Sequence, residues 1–186
     1  MVQSPTKLLT LEDFLKLPET EPASEFVEGI ITQKPMPQGK HSRLQRRFLD
    51  NINDTIEGTA EAFPELRCTF GGRSIVPDVA VFMQHRIPVD ELGDIADVFL
   101  VCPDWTIEIL SPGQSVTRVT NNILHCLEHD AVMGWLVDPS ERSILAYPQA
   151  QQPRIYGGSS ILPVPEFATH LSLTAEQVFG WLRAVG

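Results

Sequence analysis

Lysine is scarce and one-sided in this chain: Lys7, Lys16, Lys34 and Lys40 are the only four, and none follows residue 40. Any lysine-dependent chemistry farther along must borrow its ammonium from the N-terminal segment or do without. Cysteine is also sparse. Cys68, Cys102 and Cys126 are odd in number, far apart and without a CxxC pair. That argues against a disulfide scaffold and a cysteine zinc site, and fits a reducing cytoplasm. No apolar run approaches the roughly 20 residues that span a bilayer, so no membrane partner is expected. The opening MVQSPTKLLTLEDF lacks the basic flank and long apolar core of a signal peptide. There is no Gly-rich phosphate loop and no G-x-S-x-G elbow; the glycine pairs at 71–72 and 157–158 read as turns. Positive charge is missing too: the formal net charge is −10, which weighs against broad nucleic-acid binding by charge alone.

One local exception is KHSRLQRR, residues 40 to 47, with four basic residues and a histidine. Its plainest reading is the solvated face of a helix. With 186 residues, 42% hydrophobic and 20% charged, the chain is expected to form one domain, residues 1–186, burying about 70% of its unfolded surface.

Local patterns then set out the elements. TLEDFLKLPE carries a capping box, Thr10 to Asp13, and stops at Pro18. FVEGIITQKP reads as a strand or the end of a hairpin, closed by Pro35 and Pro37. Leu44, Phe48, Ile52 and Ile56 recur every fourth residue, which predicts an amphipathic helix of about four turns ended by Gly58. RCTFGG, SIVPDVAVF and DWTIEILS read as strands. NNILHCLEHDA predicts a second helix with Ile123, Leu124, Leu127 and Ala131 facing inward. MGWLVDPSERSILAYP predicts a β-hairpin, and Thr174 to Gln177 caps a closing helix. The sum is an α/β (α+β) fold, a mixed β-sheet flanked by helices.

Two acidic residues stand inside apolar strand sequence, Asp78 in SIVPDVAVF and Glu108 in WTIEILSP. A buried carboxylate is costly unless it is paired, hydrogen-bonded or metal-bound. If the two strands are neighbours, the carboxylates converge, and a hard cation such as Mg²⁺ between them relieves their repulsion. Taken singly, Asp78 could be a strand-entry cap and Glu108 half of a buried ion pair.

VPDVAVF, WTIEILSP and GWLVDP, in that order, resemble the Uma-type restriction-endonuclease family of the PD-(D/E)XK nuclease superfamily. EFVEGIITQKPMP and the histidine opening the first long helix, His41, extend the resemblance, as do LTLEDFLKLPE and the closing helix. The resemblance implies a restriction-endonuclease-like fold and a Mg²⁺- or Mn²⁺-dependent nuclease site. Asp78 and Glu108 would hold the metal with the backbone carbonyl of Ile109, and Glu25 and His41 would stand nearby. It further implies DNA as a partner and association into a homodimer.

The superfamily's lysine falls at Leu110, and the family's alternative position, thirteen residues before Trp135, falls at Asn122. Arg118 is the nearest basic residue; a guanidinium is a poor base but can stabilise charge. Lys40, Arg43 and Arg118 are candidate substrate contacts, and Lys34 or Lys40 could reach the site from the N-terminal segment. Without a lysine, the chain would be a degenerate nuclease or a non-catalytic binding or assembly module on the same fold.

A competing motif is HCLEH, residues 125 to 129, an H-x-x-E-H pattern that could bind zinc with Glu128 as base. It needs a further ligand from a later helix, and Glu166 and Glu176 are the only acidic residues after Glu141. An exposed polar helix end is the ordinary expectation for it.

Overall fold

A computed structural model describes residues 9–184; Lys7, counted above, lies outside them. Helix α1 (Leu11–Leu15) begins at Thr10, whose side chain accepts from the Asp13 backbone N–H in a complete capping box. The EGIITQ segment forms a full hairpin, β1 (Ser24–Val27) and β2 (Ile30–Gln33), with Val27 paired to Ile30. Its two-residue turn, Glu28 and Gly29, has φ of 52° and 82°, the left-handed pair that fits the strand twist of a tight hairpin.

Helix α2 (Gly39–Ile56) buries Leu44, Phe48, Ile52 and Ile56 on the predicted stripe, together with His41. The backbone leaves the helix at Glu57, and Gly58 follows at φ 75°. Strands β3 (Ala60–Pro64), β4 (Cys68–Phe70), β5 (Arg73–Ile75), β6 (Val79–Met83) and β7 (Trp105–Ile109) come next. Helix α3 (Val116–Glu128) crosses over to β8 (Met133–Asp138), which lies parallel to β7. The predicted hairpin pairs β8 with β9 (Ser143–Pro148), and β10 (Arg154–Gly157) and α4 (Ala175–Gly180) complete the chain.

The strands form two sheets where one was expected. The larger has the order β10-β9-β8-β7-β6-β3, with β7–β8 its parallel pair; the smaller has the order β2-β1-β5-β4. The second sheet was hidden because β4 and β5 are three residues each around Gly71 and Gly72, too short to show a period of two. Ala60–Pro64 was passed over as a strand because alanine, glutamate and proline are poor strand formers.

One face of the large sheet packs on α2 and the C-terminal segment. Trp105 and Trp135 are fully buried there, with ring centroids 4.8 Å apart, and Phe48 of α2 meets the Trp135 ring edge-on. On the opposite face, Ala80 and Phe82 pack with Cys68 and Ile75 of the small sheet and Cys126 of α3.

α3 corrects two expectations. It starts at Val116, so its inward stripe is Val119, Asn122, Ile123 and Cys126, and Leu124 is 42% exposed. The HCLEH segment is not an exposed polar end. His125 is buried, its ring stacks on Phe70, and Gly71 leaves the space that His125 and His129 occupy.

Candidate metal centre

β6 and β7 run antiparallel with Val79 opposite Ile107. One step beyond that pair, Asp78 stands across from Glu108, where side chains share a sheet face about 5 Å apart at Cβ. Asp78 is locked in place: its Oδ2 accepts from the Ile109 backbone N–H at 2.7 Å, and its carbonyl accepts from Gln45 Nε2 at 2.9 Å. Asp78 is 1% exposed and Glu108 3%. Glu108 Oε1 is buried with no hydrogen-bond partner.

The lysine comes from the small sheet. β2 ends at Gln33, the Lys34 N–H donates to the Ala23 carbonyl, and the side chain turns inward. Lys34 Nζ donates to Asp78 Oδ1 at 2.5 Å and to the Val76 carbonyl at 2.6 Å. Glu25 of β1 completes the frame. Its Oε1 accepts from the Val76 N–H at 2.9 Å and its Oε2 from Asn122 Nδ2 at 3.2 Å. His41, near the start of α2, places Nδ1 3.3 Å from Ser111 Oγ and Nε2 3.4 Å from Asp78 Oδ1; Nε2 has no hydrogen-bond partner.

Three carboxylates therefore share one ammonium. Burial alone would lower the Lys34 pKa, but Asp78, Glu108 and Glu25 together hold it above the ordinary lysine value. Burial pushes the Asp78 carboxyl up, and Lys34 with His41 outweighs it, leaving Asp78 below the usual carboxylate range. For Glu108 burial and the Asp78 charge act together and push its carboxyl well up, and Lys34 offsets only part. The negative charge that one ammonium leaves uncompensated, and the unpartnered Glu108 oxygen beside it, suit a divalent cation with oxygen ligands.

Of the residues singled out from sequence, Asp78, Glu108, Ile109, Glu25, His41 and Asn122 meet here. Asn122 is buried on α3 and holds Glu25. Among the described residues Lys40, Arg43 and Arg118 form no ion pair with Asp78, Glu108 or Glu25. Lys40 is exposed at an opening it shares with His41, Leu110 and Ser140. Arg43 is half-buried one turn along α2, its Nε without a partner. Arg118 is exposed at a second opening, lined also by Glu25, Thr32, Ser115 and Thr117. Sequence reasoning missed Glu65. It lies before Pro77-Asp78 in space, its N–H donating to the Asp78 carbonyl at 3.3 Å, and it adopts φ 45°. One ligand atom each from His41, Glu65 and Asp78 lies within 4.8 Å of the others, a group able to hold a metal ion. No sequence signal marked Glu65, because a turn conformation brings it there. Among the described residues the HCLEH histidines gather no such group.

The model of the Uma2 family, described as "Putative restriction endonuclease", matches residues 11–176. The chain belongs to this family. It is also similar to the crystal structure of a protein from Anabaena variabilis ATCC 29413 titled a putative nuclease belonging to DUF820. The two are 54% identical, with a TM-score of 0.92, covering 94% of this chain and 99% of that one. No curated protein matches the chain. The fold is thus restriction-endonuclease-like, an α+β arrangement of two sheets and four α-helices among the described residues. None of those helices is long and apolar enough to cross a membrane.

Proposed function

We propose that this Uma2 protein is a Mg²⁺- or Mn²⁺-dependent nuclease acting on DNA, with Lys34 supplying the lysine that positions 110 and 122 lack. The observation that carries the reading is the Lys34 ammonium on Asp78 Oδ1, in the electrostatic field of Glu108. The reading treats the chain as one domain, since the small sheet, the large sheet, α2 and α3 all contribute to the site. The three buried free thiols suit a reducing cytoplasm.

Asp78, Glu108 and the Ile109 carbonyl would hold the ion, and the unpartnered Glu108 oxygen is the feature that fits it. When bound, a divalent ion polarises a phosphoryl oxygen and lowers the pKa of water. The chain's own groups do the rest. Lys34 Nζ donates toward the carboxylate edge where a phosphate would arrive, orienting oxygen and offsetting charge as it develops. His41 Nε2, 3.4 Å from Asp78 Oδ1, adds a polar group on the same side. Glu25 and Asn122 fix Val76 and so the second anchor of Lys34. Arg118 with Thr32, Ser115 and Thr117 offers phosphate donors at one opening and Lys40 at the other, with Arg43 one turn further along α2.

The test is cleavage of plasmid DNA with Mg²⁺ or Mn²⁺ by the wild type, Asp78→Ala and Glu108→Ala. The reading expects nicking by the wild type and its loss in both variants. Equal residual activity in all three points instead to a non-catalytic binding module on the same fold.

A further inference from the structure

Asp78 presents its two oxygens to different surroundings. Oδ2 is held by the Ile109 N–H on the β7 side, next to Glu108. Oδ1 faces Lys34 Nζ and His41 Nε2. The imidazole is 6% exposed, and its Nε2 ends in a buried place with no hydrogen-bond partner. A buried ring nitrogen left unpaired is costly unless something else uses it. Its other nitrogen is already oriented by Ser111 Oγ at 3.3 Å, the kind of second contact that fixes the ring of a metal-ligating histidine.

Glu65 supplies what the buried His41 and Asp78 lack, a carboxylate exposed to water. Its side chain is exposed, and it shares with Lys34 the lining of a cavity of about 470 Å³ that His41 and Asp78 do not line. The three donor atoms lie within 4.8 Å of one another. Around an ion with bonds of about 2.1 Å, adjacent ligands stand about 3 Å apart, so the group must contract modestly. The exposed Glu65 carboxylate can make that movement.

We propose that His41 Nε2, Glu65 and Asp78 Oδ1 form a second divalent-metal position, separate from the one at Asp78, Glu108 and the Ile109 carbonyl. The imidazole beside two carboxylates favours a first-row transition ion over Mg²⁺, which takes an all-oxygen set; Mn²⁺ serves as the probe. Lys34 shares Asp78 Oδ1 with this position. An ion there leaves Lys34 its other partner, the Val76 carbonyl at 2.6 Å.

The position rests on Asp78 belonging to a metal centre, and ion count and cleavage are read separately. The metal-free full chain is titrated with MnCl₂ by calorimetry, and bound Mn²⁺ is counted by its electron paramagnetic resonance signal. The wild type is expected to take two Mn²⁺ per chain and Glu65→Gln one. Glu65 is exposed, so that variant is not expected to disturb folding; circular dichroism checks it. Glu108→Gln is expected to keep the Mn²⁺ that Glu65→Gln loses. One Mn²⁺ per wild-type chain, or two in Glu65→Gln, would overturn the proposal. If Glu108→Gln loses both its ion and cleavage while Glu65→Gln binds as the wild type does, this inference fails and the nuclease reading stands. If no variant changes Mn²⁺ binding and the wild type does not cleave, both fail.

Discussion

Lys34 Nζ lies 2.5 Å from Asp78 Oδ1, an ion pair that joins the end of the N-terminal hairpin to the acidic residue just before β6 across 44 positions of chain. The ammonium also holds the Val76 carbonyl, so the pair is braced by backbone two residues before Asp78. A nuclease centre needs a cation-bearing side chain at a place in space. In the proposed nuclease reading it comes from Lys34, the residue after β2, where the sequence motif would have delivered it from β7 or α3.

Removing the anion of that pair leaves the buried ammonium to Glu108, Glu25 and the Val76 carbonyl. Asp78→Asn is expected to destabilise the metal-free protein by less than the ~3–5 kcal/mol of a fully stranded buried charge, measured by urea unfolding. The pH dependence follows from the depressed Asp78 value. Its contribution is present above the unfolded carboxyl pKa of about 3.9 and is lost as pH falls through the lower folded value. Asp78→Asn should therefore lose that acid-limb dependence.

Glu108 behaves in the opposite sense. Its folded pKa is raised by burial and by Asp78, so the folded state keeps a proton that the unfolded chain releases. Stability falls as pH rises from the unfolded value of about 4.3 through the folded one. Glu108→Gln removes that penalty and is expected to raise the metal-free Tm at pH 7. A gain of about 1 kcal/mol corresponds to ~2–4 °C in a chain of this size. The check is thermal unfolding from pH 5 to 8 with chelator present, where the variant's advantage should grow with pH.

How much of this could be read beforehand differs from residue to residue. Asp78 and Glu108 were visible because a charge inside a β-branched run has few inexpensive explanations, and adjacent strands made them meet. The caps at Thr10 and Thr174 and the β8–β9 hairpin were visible because they are local. Lys34 was visible only as a residue that could migrate, since its contact depends on how β1–β2 docks beside β6. The second sheet and Glu65 were not visible at all. Three-residue strands carry no period, and a φ of 45° at Glu65 is set by its tertiary surroundings. Leu124 misled because the helix begins five residues before the segment that looked helical, and Val119 in that added stretch lines up with Asn122, Ile123 and Cys126 and not with Leu124.

Close packing of α3 on β8 gives a separate check on the architecture behind the site. A Cβ at Gly134 would stand 2.3 Å from Ile123 Cγ2, and isoleucine in a helix has little rotamer freedom to yield. Gly134→Ala is expected to cost about 1–3 kcal/mol by overpacking, measured by chemical unfolding. Ile123→Ala in the same chain should recover part of that loss.

The openings carry a prediction about binding. Arg118 and Lys40 lie at separate mouths of the site and form no ion pair among the described residues. Alanine at either position should weaken DNA binding and lower the slope of log K against log salt by about 0.9. Fluorescence anisotropy across a salt series reads both quantities.

The central claim is that Lys34 stands in for the absent motif lysine, and Lys34→Met tests it most directly. DNA cleavage with Mn²⁺ is compared with the wild type, and Mn²⁺ binding is measured on the same samples. The account predicts a rate lower by about 10²–10⁴-fold, the range of a positioned acid–base group, with Mn²⁺ still bound. A Lys34→Met protein that cleaves within about twofold of the wild type, or a wild type that binds Mn²⁺ and never cuts, would contradict it.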